Sequence, residues 1–284
     1  MNEKLKAVGD VLRSAIGKSD KRPTAAIIVA AGSSVRMGGD TPKQFLPLNG
    51  MPVVVWTLRA YEASDYIDEI VVVVRPGDRE KYLEYKEQFG ISKLTKIVDG
   101  GQTRQESVLR GVESVGESVS YVAIADGARP LTTPDMIRKV CLAAYRFGGA
   151  TAAYPAFDTI KVADQHGFIV DTVERSTVWH ATTPQVFALN VYRAAAYFSK
   201  DEGFEATDDN SLVEHIGHQV KLVDCGRDNI KITTPDDIYI CETLIRRRAE
   251  KAHDAFEEKS TQKTERNKKK TENKKIRSSD EEEQ

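Results

Sequence analysis

Between residues 24 and about 248 the chain alternates short runs that are apolar throughout with longer stretches whose apolar residues recur at helical spacing. The short runs at 24–30, 69–74, 94–98, 120–125 and 150–155 are rich in small and β-branched residues, as in Glu69-Ile70-Val71-Val72-Val73-Val74. A strand without polar alternation is buried on both faces, so these predict strands of a sheet covered on each side. Helices are expected between them at about 52–63, 78–88, 103–115 and 134–147. Strand and helix in strict turn give the α/β class, with a mostly parallel sheet and helices on both faces. In such sheets ligands sit beyond the carboxyl ends of the strands. Gly32, Gly100-Gly101 and Asp126 all follow predicted strand ends.

The rhythm breaks at about 156–178. Two alternating stretches, Phe157–Val162 and Phe168–Val173, flank the polar turn Asp164-Gln165-His166-Gly167 and predict a β-hairpin. A lone hairpin is marginal in water, so a second subunit is expected to support it. The chain should return through helices near 190–200 and 208–217, strands at 219–224 and 228–232, and a closing helix from Pro235 to about Arg248. Residues 1–23 form a leader with helical spacing of Leu5, Val8, Leu12 and Ile16. The domain proper is expected over 24–250. Residues 251–284 are a charged tail, basic and then acidic, too poor in apolar residues to order itself.

Totals exclude several classes of partner. With 41 Lys+Arg against 43 Asp+Glu, bulk charge favours neither nucleic acid nor an anionic membrane. Cys141, Cys225 and Cys241 lie far apart with no C-x-x-C, which suits small buried or half-buried residues in a reducing compartment rather than metal ligands or disulfides. No apolar run approaches the roughly 20 residues that span a bilayer. A soluble, cytoplasmic protein is the expectation. His166, His180, His215, His218 and His253 show no metal-ligand spacing; His215 and His218 are expected on one solvent-facing helix.

The chemistry is concentrated in five places. After the first strand, Ala30-Ala31-Gly32-Ser33-Ser34 is a small-residue loop leading to Arg36 and, seven residues on, Lys43. Small residues let backbone N–H groups approach a phosphate, and two cations offset its charge. The loop is neither a Walker loop nor a G-x-G-x-x-G fingerprint. Such a pair on a triphosphate would stabilise a leaving pyrophosphate, the main task of nucleotidyl transfer. Second, Gly100-Gly101-Gln102-Thr103 opens a helix with Thr103 as N-cap, either as a plain turn or as a loop over a base and ribose with Ser107 as hydroxyl donor. Third, Asp126-Gly127-Ala128-Arg129 reads as an ion pair, or as a carboxylate beside a phosphate-bridging Mg²⁺ with Arg129 forking onto an anion. Fourth, Asp158-Thr159-Ile160-Lys161 and Glu174-Arg175-Ser176 supply polar groups at the two ends of the hairpin. Fifth, Lys231 stands in an otherwise apolar predicted strand, where an inward lysine needs an anionic partner.

Together these motifs, with Pro42-Lys43-Gln44-Phe45, Thr182-Thr183-Pro184-Gln185, Thr207-Asp208-Asp209 and Asn229-Ile230-Lys231-Ile232-Thr233-Thr234-Pro235, resemble the 2-C-methyl-D-erythritol 4-phosphate cytidylyltransferases of the non-mevalonate isoprenoid pathway. The matches are collinear over about residues 24–248. The resemblance implies a Rossmann-like domain whose β-arm exchanges contacts across a homodimer. It implies CTP on Ala30, Ala31, Gly32, Ser34, Arg36, Lys43, Gly101, Ser107 and Gly127. It places the polyol phosphate on Asp126, Arg129, Thr159, Arg175, Thr183 and Lys231, with Arg175 donated by the neighbouring subunit. It gives Mg²⁺ to Asp126, directly or through water, and catalysis to Arg36, Lys43, Arg175 and Lys231. The family loop often has glycine where this chain has Ser34, and an acid where it has Gln102. Two alternatives keep the motifs: a ribitol-5-phosphate cytidylyltransferase, and a non-catalytic nucleotide-binding protein. Lys161 and Glu174-Arg175-Ser176 before Trp179 favour the methylerythritol enzyme.

Overall fold

The structure, a computed structural model, describes residues 21–32, 41–251 and 253–254. The expected leader and charged tail therefore lie almost wholly outside the described residues. The chain forms two compact units, one ending at Ile238 and one beginning at Tyr239. The second is helical through residue 251.

The first unit contains eleven strands among the described residues. In chain order they are β1 (Thr24–Val29), β2 (Pro47–Leu48), β3 (Met51–Pro52), β4 (Glu69–Val74), β5 (Leu94–Asp99) and β6 (Tyr121–Asp126). There follow β7 (Gly149–Pro155), β8 (Lys161–Ala163), β9 (Ile169–Thr172), β10 (Trp179–Ala188) and β11 (Lys221–Asp224). Seven of them form one sheet in the order β11-β7-β10-β6-β1-β4-β5. Within it β10 alone runs against its neighbours. The chain steps from β1 outward to β4 and β5, then returns to β6 on the other side of β1. That reversal opens a crevice beyond the carboxyl ends of β1 and β6.

Alternate residues of each central strand enter different cores. Ala26 and Ile28 of β1, with Ile70, Val72 and Val74 of β4, pack on one face. They meet α1 (Val53–Glu62), α2 (Arg79–Phe89) and α4 (Pro134–Phe147). Ala25 and Ile27, with Val71 and Val73, pack on the other face against α3 (Arg104–Glu113), α5 (Leu189–Asp201) and α6 (Asp209–His215). This two-sided burial is why the runs are apolar throughout. Helix α3 lies so close to the sheet that a Cβ at Gly111 would stand 2.6 Å from Ile27 Cγ2. No helix among the described residues is long and apolar enough to cross a membrane.

Three expectations need correction. Residues 228–232 form no strand; they are an irregular segment tied to the body by side chains. Conversely β10, a central strand, was not legible as one. It carries buried Thr182, Thr183 and Gln185 and holds Pro184, all features of loops, and its ladder shifts register between Ala181 and Gln185 to admit them. Finally, α6 ends at His215, so His218 falls beyond the Gly217 turn rather than on the same helix. The ring of His215 stacks on Phe204, and its Nε2 lies 2.8 Å from Glu202 Oε2.

The predicted hairpin is present: β8 and β9 pair antiparallel as a separate two-stranded sheet. Asp164 Oδ1 closes its turn by accepting the N–H groups of His166 and Phe168.

Candidate active site

A cleft of about 460 Å³ opens at the strand reversal, beyond β1 and β6. Its floor is Ala30, Ala31 and Gly32, where β1 ends, and Gly127, where β6 ends. Ala30 is fixed from both sides: its N–H donates to Val73 O and its carbonyl accepts Gln44 Nε2 at 3.1 Å. The Gly127 N–H donates to Val29 O, which ties the two strand ends together. Ser34 and Arg36 lie outside the described residues.

One wall is the turn before α3. Thr103 caps that helix by accepting the Glu106 N–H, and Glu106 Oε2 reaches back to accept from Gln102 N, the residue before the cap. Ser107 Oγ accepts from Gly101 N at 3.0 Å and can donate to Thr103 O. The hydroxyl expected to meet the nucleotide thus also shapes the loop. Glycine is needed at 101, where a Cβ would stand 2.4 Å from that of Glu106.

The opposite wall is charged. Asp126, the last residue of β6, is 8 % exposed. Its Oδ2 accepts Arg129 Nε at 3.0 Å, and Lys231 Nζ lies 3.1 Å from its Oδ1. Burial alone would push this carboxyl up; Lys231, Arg129 and Arg104 outweigh it and hold the pKa at about 2. Arg129 also donates Nη1 to Asn229 O at 2.7 Å. Lys43, in a short 3₁₀ turn over Lys43–Phe45, reaches across the cleft to donate Nζ to Ile232 O at 2.8 Å. Among the described residues, Lys43, Arg104 and Lys231 are the cations lining the cleft, against the single carboxylate of Asp126. That balance suits a polyanion.

Four expected residues are not among those that line this cleft: Arg129, whose guanidinium is turned to Asp126 and Asn229 O, and Thr183, Thr159 and Arg175. Thr183 is buried at 3 % exposure, and its Oγ1 accepts the Asp126 N–H at 3.1 Å, so it bears on the site through Asp126. Thr159 and Arg175 lie exposed at the root of the hairpin, where Arg175 Nη1 donates to Phe157 O. Within one chain they line no part of the cleft.

Comparison with known proteins decides the family. The family model for 2-C-methyl-D-erythritol 4-phosphate cytidylyltransferase, IspD, matches residues 24–247. A protein of that name from Pelotomaculum thermopropionicum is 42% identical over 225 residues, covering 79% of this chain and 94% of its own. The chain belongs to the 2-C-methyl-D-erythritol 4-phosphate cytidylyltransferase family. A relative of the same name from Caldanaerobacter subterraneus subsp. tengcongensis is 43% identical over 223 residues, covering 78% of this chain and 98% of its own. Among solved structures, the 4-diphosphocytidyl-2C-methyl-D-erythritol synthase of Anaerococcus prevotii superposes with a TM-score of 0.71 at 27% identity, over 79% of this chain and 96% of that one. The cytidylyltransferase of Thermus thermophilus gives 0.65 at 30%, over 79% and 99%. The chain is therefore a nucleotidyltransferase with a mostly parallel α/β sheet.

In this cytidylyltransferase, sequence reasoning passed over Gln44 and Arg104. Gln44 is buried beside Lys43 and clamps the Ala30 carbonyl, a role that its place in the Pro42-Lys43-Gln44-Phe45 motif could have suggested. Arg104 Nη2 donates to the fully buried Asp209 at 2.6 Å, and Tyr192 OH donates to the same carboxylate at 2.7 Å. Burial opposes the charge on Arg104, but Asp209 outweighs it and raises the guanidinium pKa. The only signal for that pairing was Thr207-Asp208-Asp209, more than a hundred residues away.

Proposed function

We propose that the chain transfers CMP from CTP to 2-C-methyl-D-erythritol 4-phosphate, giving 4-diphosphocytidyl-2-C-methyl-D-erythritol and pyrophosphate. The observation that carries this reading is the cluster Asp126–Arg129–Lys231, facing Lys43 across a cradle of Ala30–Gly32, Gly101 and Gly127. A phosphate oxygen of the polyol phosphate attacks the α-phosphorus; a new P–O bond forms as the bond to the bridging α–β oxygen breaks and pyrophosphate carries off the electron pair. The attacking phosphate is already anionic, so no strong base is required. The chain's own groups orient and neutralise: Arg129 and Lys231 hold the polyol phosphate, while Lys43, with Arg36 of the same loop, offsets charge on the leaving pyrophosphate.

The donor set suits Mg²⁺. Among the described residues no three His, Cys, Asp or Glu side chains converge as a metal cage, but Asp126 offers one hard carboxylate beside the expected phosphates. Mg²⁺ is commonly held by one or two carboxylates with phosphates and water. Bound there, it would neutralise phosphate charge and draw electrons from the α-phosphorus.

A homodimer fits the hairpin. Phe168, Ile169 and Val170 are each more than 60 % exposed on it, an apolar edge that a second copy would cover. In that assembly Arg175 and Thr159 serve the neighbour's cleft. Balanced charge and three widely spaced cysteines with no C-x-x-C support a cytoplasmic enzyme without nucleic-acid partners.

Pyrophosphate release with CTP and Mg²⁺ tests the reaction, comparing methylerythritol 4-phosphate with ribitol 5-phosphate. A strong preference for the first is expected. Preference for the second would reassign the acceptor, and release with neither would leave a nucleotide-binding protein.

A further inference from the structure

Lys43, a cation of the cleft, and Arg129 beside it both bind residues 229–232, which no ladder holds in place. Arg129 Nη1 donates to the carbonyl of Asn229, and Lys43 Nζ to the carbonyl of Ile232. Between them Lys231 spans to Asp126. A segment outside a sheet owes its register to whatever anchors it. Here the Ile232 N–H donates to Ala128 O at 2.9 Å, and the Asn229 side chain adds an anchor at the segment's other end. Asn229 is 2 % exposed. Its Nδ2 donates to Thr183 O at 2.7 Å, and its Oδ1 accepts Thr132 Oγ1 at 3.1 Å. Both ends of the carboxamide are therefore used, on two different elements of the body.

The two partners are not arbitrary. Thr183 accepts the Asp126 N–H through its hydroxyl, and Thr132 donates to Asn229 while its own position follows Arg129, whose carbonyl also lies 3.0 Å from Thr132 Oγ1. The carboxamide thus links the backbone beneath Asp126, the turn that carries Arg129 and the segment that carries Lys231. Asn229 does not line the cleft.

We propose that Asn229 is a positioning residue for nucleotidyl transfer, setting the register of 229–232 so that its carbonyls aim Arg129 and Lys43 and its lysine meets Asp126. This rests on the cytidylyltransferase reading. A buried asparagine that merely fills space would affect folding alone. One that aims cations should act on the step those cations serve, because misplacing a reacting group by about 1 Å can cost on the order of 10²-fold in rate.

The test compares steady-state kinetics of the wild type, Asn229→Ala and the milder, nearly isosteric Thr132→Val, below the thermal midpoint of each. For Asn229→Ala the expected result is a kcat lower by about tenfold to a hundredfold and a KM for the polyol phosphate raised several-fold, with KM for CTP within about twofold. Thr132→Val should shift the same constants in the same direction by less, and it stands in if Asn229→Ala does not fold. Combined with Lys231→Ala, Asn229→Ala should slow the enzyme by less than the product of the two single effects, since part of what it does runs through Lys231. Unchanged constants, or a fall in kcat matching only the unfolded fraction, would overturn the proposal. Crystal structures of the two variants separate this inference from the reading beneath it. Should the wild type transfer nothing to the polyol phosphate, the reaction reading fails. The positioning role then stands if residues 229–232 shift and the Lys43–Ile232 contact is lost in either variant, and falls if both remain in place.

Discussion

Lys43 shows how a single side chain links two distant parts of the chain to one task. Its neighbour Gln44 anchors the 3₁₀ turn on the Ala30 carbonyl, and Lys43 itself bridges to Ile232 O. It lines the cleft that also holds the Asp126 carboxylate, and under the proposed reaction its ammonium meets the charge that develops on leaving pyrophosphate. Lys43→Ala should lower kcat by about 10²–10³, the usual loss for one pre-placed donor to developing charge, while the variant stays folded. Pyrophosphate release under saturating substrates measures it, and near-full turnover would remove Lys43 from the chemistry. At this scale the sequence was informative at glycine-marked strand ends and, for Lys43, through its Pro42-Lys43-Gln44-Phe45 motif: Gly32, Gly101, Asp126 and Lys43 all line the cleft. Arg104 was not legible, because as the first residue after an N-cap it looks like any helical surface arginine. Its meaning depends on Asp209, which only the packing of α6 against α3 and α5 brings near.

At the level of elements, legibility followed burial. Strands apolar on both faces, such as β1 and β4, could be read from their own residues, since two-sided burial leaves no place for polar side chains. β10 could not, because its buried Thr183 and Gln185 meet the polar network of Asp126, Asn229 and Asp208, while Thr182 donates to Ala152 O. Residues 228–232 misled in the opposite sense: apolar alternation around Lys231 resembles a strand, whereas Asn229 supplies the anchoring that a ladder would give. The hairpin β8–β9 was readable from its turn and alternation, and its exposure makes its own prediction. If it is the dimer arm, Ile169→Asp together with Val170→Asp should convert a dimer into a monomer, placing two charges on the apolar edge. Light scattering on the wild type and the double variant reads the mass. Turnover should fall with it, because Arg175 would no longer reach a neighbour's cleft; a dimer that persists would assign the interface elsewhere.

Across the whole molecule, the site should leave a mark on stability as well as on rate. Asp126 is buried, and its carboxylate is held by Lys231 and Arg129 only in the folded chain. Its folded pKa of about 2 lies below the ordinary value of 3.8. On acidification the unfolded chain therefore takes up the proton first. The stabilisation from Asp126 is complete above about pH 5, declines as pH falls through 3.8, and is gone below about pH 2. A depression of nearly two pH units corresponds to about 2 kcal/mol at 1.36 kcal/mol per unit. Asp126→Asn cannot titrate at this position, so it isolates the effect from the other carboxylates. In urea unfolding of metal-free protein, the stability difference between wild type and Asp126→Asn should be constant from pH 7 to 5. It should then narrow by about 2 kcal/mol toward pH 2 as the wild type loses what the variant never had. The carboxylate that the proposed mechanism uses beside phosphate and metal would, by the same ion pairs, also help keep the cleft folded. A difference that stayed flat down to pH 2 would mean that the Lys231 and Arg129 contacts do not hold Asp126 in solution.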